Sequence, residues 1–375
     1  MDIPVIVIMV VVAALVFDFT NGFHDTANAM ATSIATGALR PRVAVAIAGV
    51  LNLAGAFVSV HVAKTIAGGL VDDARITPVV VFAGLIGAIL WNLLTWLVGL
   101  PSSSSHALFG GLIGATVVAS GVGAVQVHTV VGKVLLPAVI SPLLAGALAL
   151  VATVFVYRVT ASADAAKVRR GFRFGQVVSA STVALAHGAN DAQKTMGVIT
   201  LTLITAGLLK PGSGPPFWVV LAAGVAIGAG SYMGGWRIIR TLGRRITEIQ
   251  APQGFTAETT SAAVILTSTH FGIPLSTTQV CTGSIFGAGA GRRLDVVHWG
   301  TARRMVVAWA VTMPASALVG AATSYIAAKG PGGVVVVTIG GIGCCLAIYA
   351  ASRRNPVSAM NVNDVAAPSP ARAVA

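Results

Sequence analysis

Two short polar stretches carry the side chains that could do chemistry in this chain. They share carboxyl and amide groups, at Asn21, Asp25, Asn28, Asn190, Asp191 and Gln193. Gly22 aligns with Gly188 and Asp25 with Asp191, both at an offset of 166 residues. Such groups bind cations or protons and are costly within apolar segments. A costly stretch that occurs twice predicts a binding site between the halves of a duplicated fold.

Two runs of hydroxyl residues form the second candidate element. Four serines occupy 102–105, and Ser-Thr-Thr occupies 276–278. Pro101 aligns with Pro274 at an offset of 173, which places one run in each half. Hydroxyls both donate and accept hydrogen bonds, and many donors suit a tetrahedral oxyanion. We therefore expect four polar elements to converge on one oxyanion site.

Carboxylates conflict with an anion site because they repel phosphate or sulfate. The conflict disappears when a cation or proton binds Asp25 and Asp191, and this requirement predicts symport. Two charged residues keep two interpretations each. Lys194 either pairs with Asp191 or contacts the anion directly, and Glu258 is either a helix-start carboxylate or a third cation ligand.

The composition predicts a polytopic membrane protein. Hydrophobic residues make up 55% of the chain and charged residues 9%, whereas soluble domains carry about 25% charged residues. The apolar runs come close to or exceed the roughly 20 residues that a membrane helix needs; they are 43–63, 78–100, 134–157, 305–328 and 332–351. The net charge of +13 sits mainly in short loops, which argues against a nucleic-acid partner.

These elements predict an all-α fold of about 10–12 membrane segments. The two polar stretches are interpreted as breaks in helices 3–36 and 175–208, and 43–66 as one long helix. The shorter apolar piece at 107–127 is expected to be re-entrant. The predicted organisation is a first inverted repeat (1–157), a basic cytoplasmic connector (158–174), a second inverted repeat (175–330), an extra transmembrane helix (331–352) and a disordered cytoplasmic tail (353–375).

The basic residues predict the orientation. When the loop that contains Arg40 and Arg42 is cytoplasmic, most of the 24 Lys and Arg residues fall on the cytoplasmic side. The basic loop at 237–245 is then internal, although the matching loop of the first half is external. The two halves are therefore expected to have opposite topology.

The residues 22–29 and 188–197 resemble the two signatures of the PiT inorganic phosphate transporters, and 258–263 and 274–278 resemble their second-half pattern. The resemblance spans about residues 10–350. It implies inverted repeats, re-entrant hairpins, a phosphate site near the midplane and a homodimer. It also implies coupling to Na⁺ or H⁺ and, in some bacterial members, transport of a neutral metal–phosphate complex.

Residues and resemblance together give two predicted sets of ligands. The coupling-ion set is Asn21, Asp25, Asp191, Gln193 and Glu258. The substrate set is Asn28, Ser103, Ser104, Ser105, Asn190, Lys194, Thr195, Ser276, Thr277, Thr278 and Gln279. Two departures from the family pattern stand out. The four serines leave open which hydroxyls point inward, and the first half has Leu85 where Glu258 would have its counterpart.

The sequence as a whole predicts a secondary active transporter in the cell (inner) membrane that imports inorganic phosphate by H⁺ or Na⁺ symport through alternating access. A sulfate permease of the same fold is the alternative, and a channel or structural membrane protein is a more distant one. No cofactor and no resident metal site are expected. An enzyme is disfavoured because the sequence has no nucleotide loop, no metal-ligand spacing and no nucleophile with an evident base.

Overall fold

The computed structural model describes residues 3–69, 71–72 and 74–364. Within those ranges the regular elements are helices, and the β-structure consists of two isolated bridges. The α-helices are α1 (Ile3–Ala35), α2 (Pro41–Gly55), α3 (His61–Gly69), α4 (Pro78–Leu97), α5 (Ser104–Ser120), α6 (Val127–Val130), α7 (Leu136–Val159), α8 (Ala165–Thr205), α9 (Phe217–Met233), α10 (Trp236–Arg244), α11 (Ala251–His270), α12 (Thr277–Arg292), α13 (Trp299–Ala327) and α14 (Pro331–Ser352). A π-helical turn, Val131–Leu135, joins α6 to α7.

The same order of elements occurs twice along the chain. A long helix (α1 or α8) is followed by a broken pair (α2 and α3, or α9 and α10) and then by two helices joined by a polar turn (α4 and α5, or α11 and α12). A short 3₁₀ turn and a second long helix complete each series. The bridges Val71–Val125 and Thr247–Val297 occupy matching places in the two series. The opposite membrane orientation of the repeats stays a prediction.

Among the residues that the structure describes, five helices are long and apolar enough to cross a membrane, and the bent pair α9 and α10, with an angle of 66° between its halves, makes a sixth candidate. The chain is therefore a multi-pass membrane protein. The predicted number of 10–12 membrane segments is larger because it includes helices that are shorter or more polar than these, such as α5 and α8.

The polar stretches do not break their helices, so this part of the sequence prediction is wrong. Both α1 and α8 are continuous through them. Other helices cross there: a Cβ at Gly22 would lie 2.2 Å from the Ile227 carbonyl oxygen, and one at Gly188 2.2 Å from that of Asn52. Polar side chains such as Asp25 and Asn28 form hydrogen bonds with α12. The backbone of α1 and α8 keeps its own helical hydrogen bonds through both stretches.

The predicted single helix at 43–66 is divided instead. Helix α2 ends at Gly55, where a Cβ would lie 2.2 Å from the Leu185 carbonyl oxygen of α8, and α3 begins at His61. The side chain of Gln193 accepts hydrogen bonds from the amides of Val62 (2.8 Å) and Ala63 (3.2 Å). Because α8 supplies these acceptors, a new helix can begin inside the protein without unpaired amides.

Two predicted boundaries also shift. Helix α8 begins within the basic connector, where the Asp164 side chain accepts a hydrogen bond from the Lys167 amide at 2.8 Å. The tail is not disordered over 353–364, because Arg237 donates to the Asn355 carbonyl (2.6 Å) and Arg240 to that of Asn361 (2.9 Å). Residues 365–375 lie outside the described residues.

The two repeats interlock through close helix crossings. A Cβ at Gly114 of α5 would lie 1.9 Å from the Ala317 carbonyl oxygen of α13, and one at Gly287 of α12 would lie 1.9 Å from that of Gly146 on α7. Small residues allow such backbone approach. Each repeat thus packs its short helix against the last long helix of the other repeat, which brings the two hydroxyl runs together.

Candidate anion and cation site

The two hydroxyl runs form equivalent helix starts. The Ser103 hydroxyl accepts a hydrogen bond from the His106 amide (3.2 Å) at the start of α5, and the Ser276 hydroxyl accepts one from the Gln279 amide (3.3 Å) at the start of α12. Both serines therefore act as N-caps, and their role as substrate ligands stays a prediction. The first amides of each helix have no partner within the helix, and the positive end of its dipole favours an anion.

Asp25 lies where the two helix starts meet. Ser104 of α5 donates to its Oδ2 at 2.7 Å, and Thr278 of α12 donates to its Oδ1 at 3.2 Å. The Nδ1 atom of His24 lies 2.5 Å from Oδ1. Asn28, one turn further along α1, donates to the Thr278 hydroxyl at 3.0 Å. One buried carboxylate is thus contacted by the first turns of helices from both repeats.

Asp191 occupies the corresponding place on α8. Thr277 donates to its Oδ2 at 3.0 Å, and the Nε2 atom of His187 lies 3.2 Å from the same oxygen. Ligand atoms of Asp25, His187 and Asp191 all lie within 4.8 Å of one another, so these side chains could hold a metal ion. The sequence does not predict this group, because its ligands come from two helices and have no recognisable spacing.

Lys194 is paired in this structure. Its buried ammonium group donates to the Asp191 carboxylate, to the Ser105 hydroxyl (2.6 Å) and to the Leu275 carbonyl (2.8 Å). An ammonium group has three protons, and all three are used here. Lys194 was predicted either to pair with Asp191 or to contact the anion, and the structure shows the pairing. For Lys194 to contact an anion, one of its three hydrogen bonds must be exchanged.

Several amide oxygens remain available at this centre. Asn190 donates to the Thr269 hydroxyl at 2.9 Å. The side-chain oxygens of Asn28, Asn190 and Gln279 are buried and have no hydrogen-bond partner within the described part of the chain. Carbonyl-type oxygens without donors are natural ligands for a hard cation.

Two predicted coupling-ion ligands lie in other arrangements. Gln193 is occupied at the start of α3, as described above. Glu258 accepts hydrogen bonds from the hydroxyls of Thr32 and Ser179, both at 2.5 Å, and from the amide of Gln176 at 3.2 Å. This polar cluster joins α1, α8 and α11, and in the described ranges it shares no hydrogen bond with Asp25 or Asp191.

A cavity of about 800 Å³ reaches towards the Glu258 cluster. Thr36, Arg169 and Arg173 are among its lining residues. Thr36 donates to the Gln176 side-chain oxygen at 2.6 Å, and Gln176 in turn donates to Glu258. A continuous polar connection therefore leads from this basic cavity into the membrane-spanning helices.

Asn21 and Thr195 lie beside a residue that the sequence analysis did not select. Asp18 is fully buried on α1, and both residues are neighbours of its carboxyl group. The comparison of repeats could not find it, because an offset of 166 places Ala184 at its position. The sequence feature that could have identified Asp18 is a carboxylate within an otherwise apolar helix.

Comparisons with known proteins agree with this architecture. The model of the phosphate transporter family matches residues 21–320. A probable low-affinity inorganic phosphate transporter of Mycobacterium bovis is 56% identical over 362 residues, which cover 96% of this chain and 87% of the relative. One from Bacillus subtilis is 44% identical over 329 residues, covering 87% and 98%.

A solved structure of a sodium-dependent phosphate transporter superposes with a TM-score of 0.77 at 25% identity, covering 86% of this chain and 98% of that one. The resemblance found in the sequence signatures is thereby confirmed. The matched family consists of transporters, so the prediction that the chain is not an enzyme is confirmed as well. On these matches, the chain belongs to the phosphate transporter family.

Proposed function

We propose that this chain imports inorganic phosphate across the cell (inner) membrane by symport with Na⁺ or H⁺ through alternating access. The observation that carries the proposal is the meeting of two helix starts, from α5 and α12, at the Asp25 carboxylate. The names of the relatives supply phosphate as the substrate, and the sodium-dependent neighbour supports a coupling cation.

Phosphate binds where the two helix starts meet. The free amides of the first turns and the positive ends of the two helix dipoles attract the anion. The hydroxyls of Ser104, Thr277 and Thr278 add donors from both sides. Ser103 and Ser276 contribute by fixing the helix starts, and their hydroxyls point to their own helices.

The coupling follows from a competition for donors. Each hydroxyl has one proton, and those of Ser104, Thr277 and Thr278 are given to Asp25 or Asp191 in this structure. When a cation or proton neutralises these carboxylates, the hydroxyls can turn to phosphate and the repulsion of the anion ends. Cation binding therefore creates the phosphate site.

Lys194 takes part in the same exchange. It compensates the charge of Asp191 while the cation is absent. A cation at Asp191 displaces the ammonium group, which then donates to phosphate. The group formed by Asp25, His187 and Asp191 also accepts a divalent metal when phosphate enters as a metal–phosphate complex, in which case the metal is cargo.

The basic cavity provides the cytoplasmic route. Its arginines attract phosphate as the anion leaves, and hydrogen bonds through Thr36 and Gln176 link the cavity to Glu258. The basic loops are cytoplasmic, as the distribution of Lys and Arg predicts. A homodimer is expected from the family resemblance alone.

Uptake of radiolabelled phosphate into proteoliposomes tests the proposal. A Na⁺ gradient and a pH gradient are imposed separately, with excess sulfate as competitor. We expect uptake that one gradient drives and that sulfate leaves unchanged. Faster uptake of sulfate than of phosphate would favour a sulfate permease. Phosphate uptake at the same rate with and without either gradient would contradict symport.

A further inference from the structure

We propose that Asp18, Asn21 and Thr195 form a second cation site, selective for a monovalent hard cation such as Na⁺ and separate from Asp25 and Asp191. Its role as a coupling-ion site rests on the proposed function. Cation binding to this site can be measured without transport. No comparison assigns a role to Asp18.

The first observation is a set of buried acceptors that lack donors. Both carboxylate oxygens of Asp18, the Oδ1 atom of Asn21 and the Oγ1 atom of Thr195 have no hydrogen-bond partner among the described residues. All three side chains are at most 1% exposed. Each buried acceptor left unpaired destabilises the protein, and more strongly when it is charged. A bound cation removes this cost, because it interacts with several oxygens at once.

The second observation is their arrangement. Asn21 lies one turn after Asp18 on α1, and Thr195 approaches the same carboxyl group from α8. Asp18, Asn21, Asp25 and Asn28 follow one another at i, i+3, i+7 and i+10, which places them along one face of α1. The seven residues between Asp18 and Asp25 correspond to about 10 Å along the helix axis. The two carboxylates therefore lie in series on one stripe and are too far apart to share an ion.

The charge of the surroundings selects a monovalent ion. Asp18 supplies one negative charge, and the charges nearest to it are those of Asp191 and Lys194, which pair with each other and cancel. A monovalent cation neutralises the Asp18 carboxylate, whereas a divalent ion would leave one excess positive charge in a buried region. The ligands are all oxygens, which suits Na⁺ rather than a soft transition metal.

The test uses the purified full-length protein in detergent without phosphate. Its melting temperature is measured against Na⁺ concentration, with choline replacing Na⁺ to hold ionic strength constant. A ligand that binds the folded state raises this temperature as its concentration exceeds the dissociation constant. We expect Na⁺ to raise the melting temperature through Asp18. Mg²⁺ should have no effect on the melting temperature that depends on Asp18.

Three variants identify the site. Asp18→Asn should weaken apparent Na⁺ affinity about tenfold or more, since it removes a charged ligand. In Na⁺-free buffer it should melt no lower than the wild type, because it also removes an unpaired buried charge. Thr195→Val should weaken Na⁺ binding less. Thr202→Val is the matched control on α8, because that hydroxyl only donates to the Val198 carbonyl of its own helix at 2.8 Å.

The outcomes separate this site from the transport proposal. Full Na⁺ stabilisation in Asp18→Asn, no Na⁺ effect in the wild type, or an Asp18-dependent effect of Mg²⁺ would each overturn the assignment. Asp25→Asn should retain Na⁺ stabilisation through Asp18. If the wild type binds Na⁺ at Asp18 but takes up no phosphate, the proposed function fails and the site stands. If the wild type carries out phosphate symport but Asp18→Asn loses no Na⁺ binding, the proposed function stands and the Asp18 site fails.

Discussion

Lys194 forms an ion pair with Asp191 one helical turn before it, and both side chains are buried. Thr277 hydrogen-bonds to Asp191 and Ser105 to Lys194, which connects the pair to the two helix starts. A charge in such a place needs its partner, because removal of one member leaves the other unpaired in a medium of low dielectric constant.

Lys194→Met should therefore destabilise the protein by about 3–5 kcal/mol, the usual cost of an unpaired buried charge. The double variant Lys194→Met with Asp191→Asn should recover much of that loss, because no charge remains. Melting temperatures in detergent test both statements. Lys210→Met, which removes an exposed lysine, is the control. A double variant less stable than the single one would contradict the pairing.

Asp25→Asn should abolish coupled phosphate uptake while the protein still folds. The amide keeps an oxygen ligand but carries no negative charge, and loss of a buried charged contact of about 2–5 kcal/mol corresponds to a reduction of roughly 30-fold or more. Uptake into proteoliposomes and gel-filtration profiles measure the two properties. Asp364→Asn changes an exposed carboxyl group and should transport normally. Uptake at the wild-type rate in Asp25→Asn would remove this residue from the site.

Neighbouring serines should respond differently to alanine substitution. Ser103→Ala removes an N-cap and should cost about 1 kcal/mol of stability with a small effect on transport. Ser104→Ala removes the donor to Asp25 and should raise the apparent KM for phosphate about tenfold. Phosphate uptake and melting temperature distinguish these effects. The same contrast is expected between Ser276→Ala and Thr277→Val, and a reversed pattern would assign the inward hydroxyls differently.

The sequence predicts the central residues well because the duplication marks them. The equivalent residues Asp25 and Asp191 come together in the structure, and the equivalent residues Ser104 and Thr277 donate to them. The sequence does not reveal that the helices continue through the polar stretches, since the stabilising partner of Asn28 is Thr278, 250 residues away. Asp18 was not selected because it has no counterpart in the second repeat.

Gln193 provides a test between a structural role and ion binding. Gln193→Leu leaves the amides of Val62 and Ala63 unpaired and should cost about 1–3 kcal/mol of stability. Gln193→Glu keeps an acceptor at the start of α3 and should be more stable than the leucine variant. The apparent affinity for the coupling cation, measured from the dependence of phosphate uptake on cation concentration, should stay within about twofold of the wild type in Gln193→Glu. A tenfold weaker affinity there would restore the coupling-ion role.

The helix crossings at the polar stretches should not tolerate an added methyl group. Gly22→Ala and Gly188→Ala place a Cβ against backbone of another helix and should cost about 1–3 kcal/mol or more. Gly340→Ala on α14 is the control, because nothing lies within 4 Å of its added Cβ. It should be neutral or stabilise by about 0.5–1 kcal/mol. Equal melting temperatures for all three variants would contradict the close crossings.

The interlocking of the repeats has a consequence for biosynthesis. Helix α5 is complete at Ser120, but its packing partner α13 begins only at Trp299. At roughly 5–20 residues per second, a ribosome needs about 10–40 s to supply that partner. During this interval the polar turn before α5 lacks its final environment, and the first repeat is exposed to quality-control proteases. A chain that stops before Trp299 would therefore be degraded as an unfinished membrane protein, even with both aspartates already made.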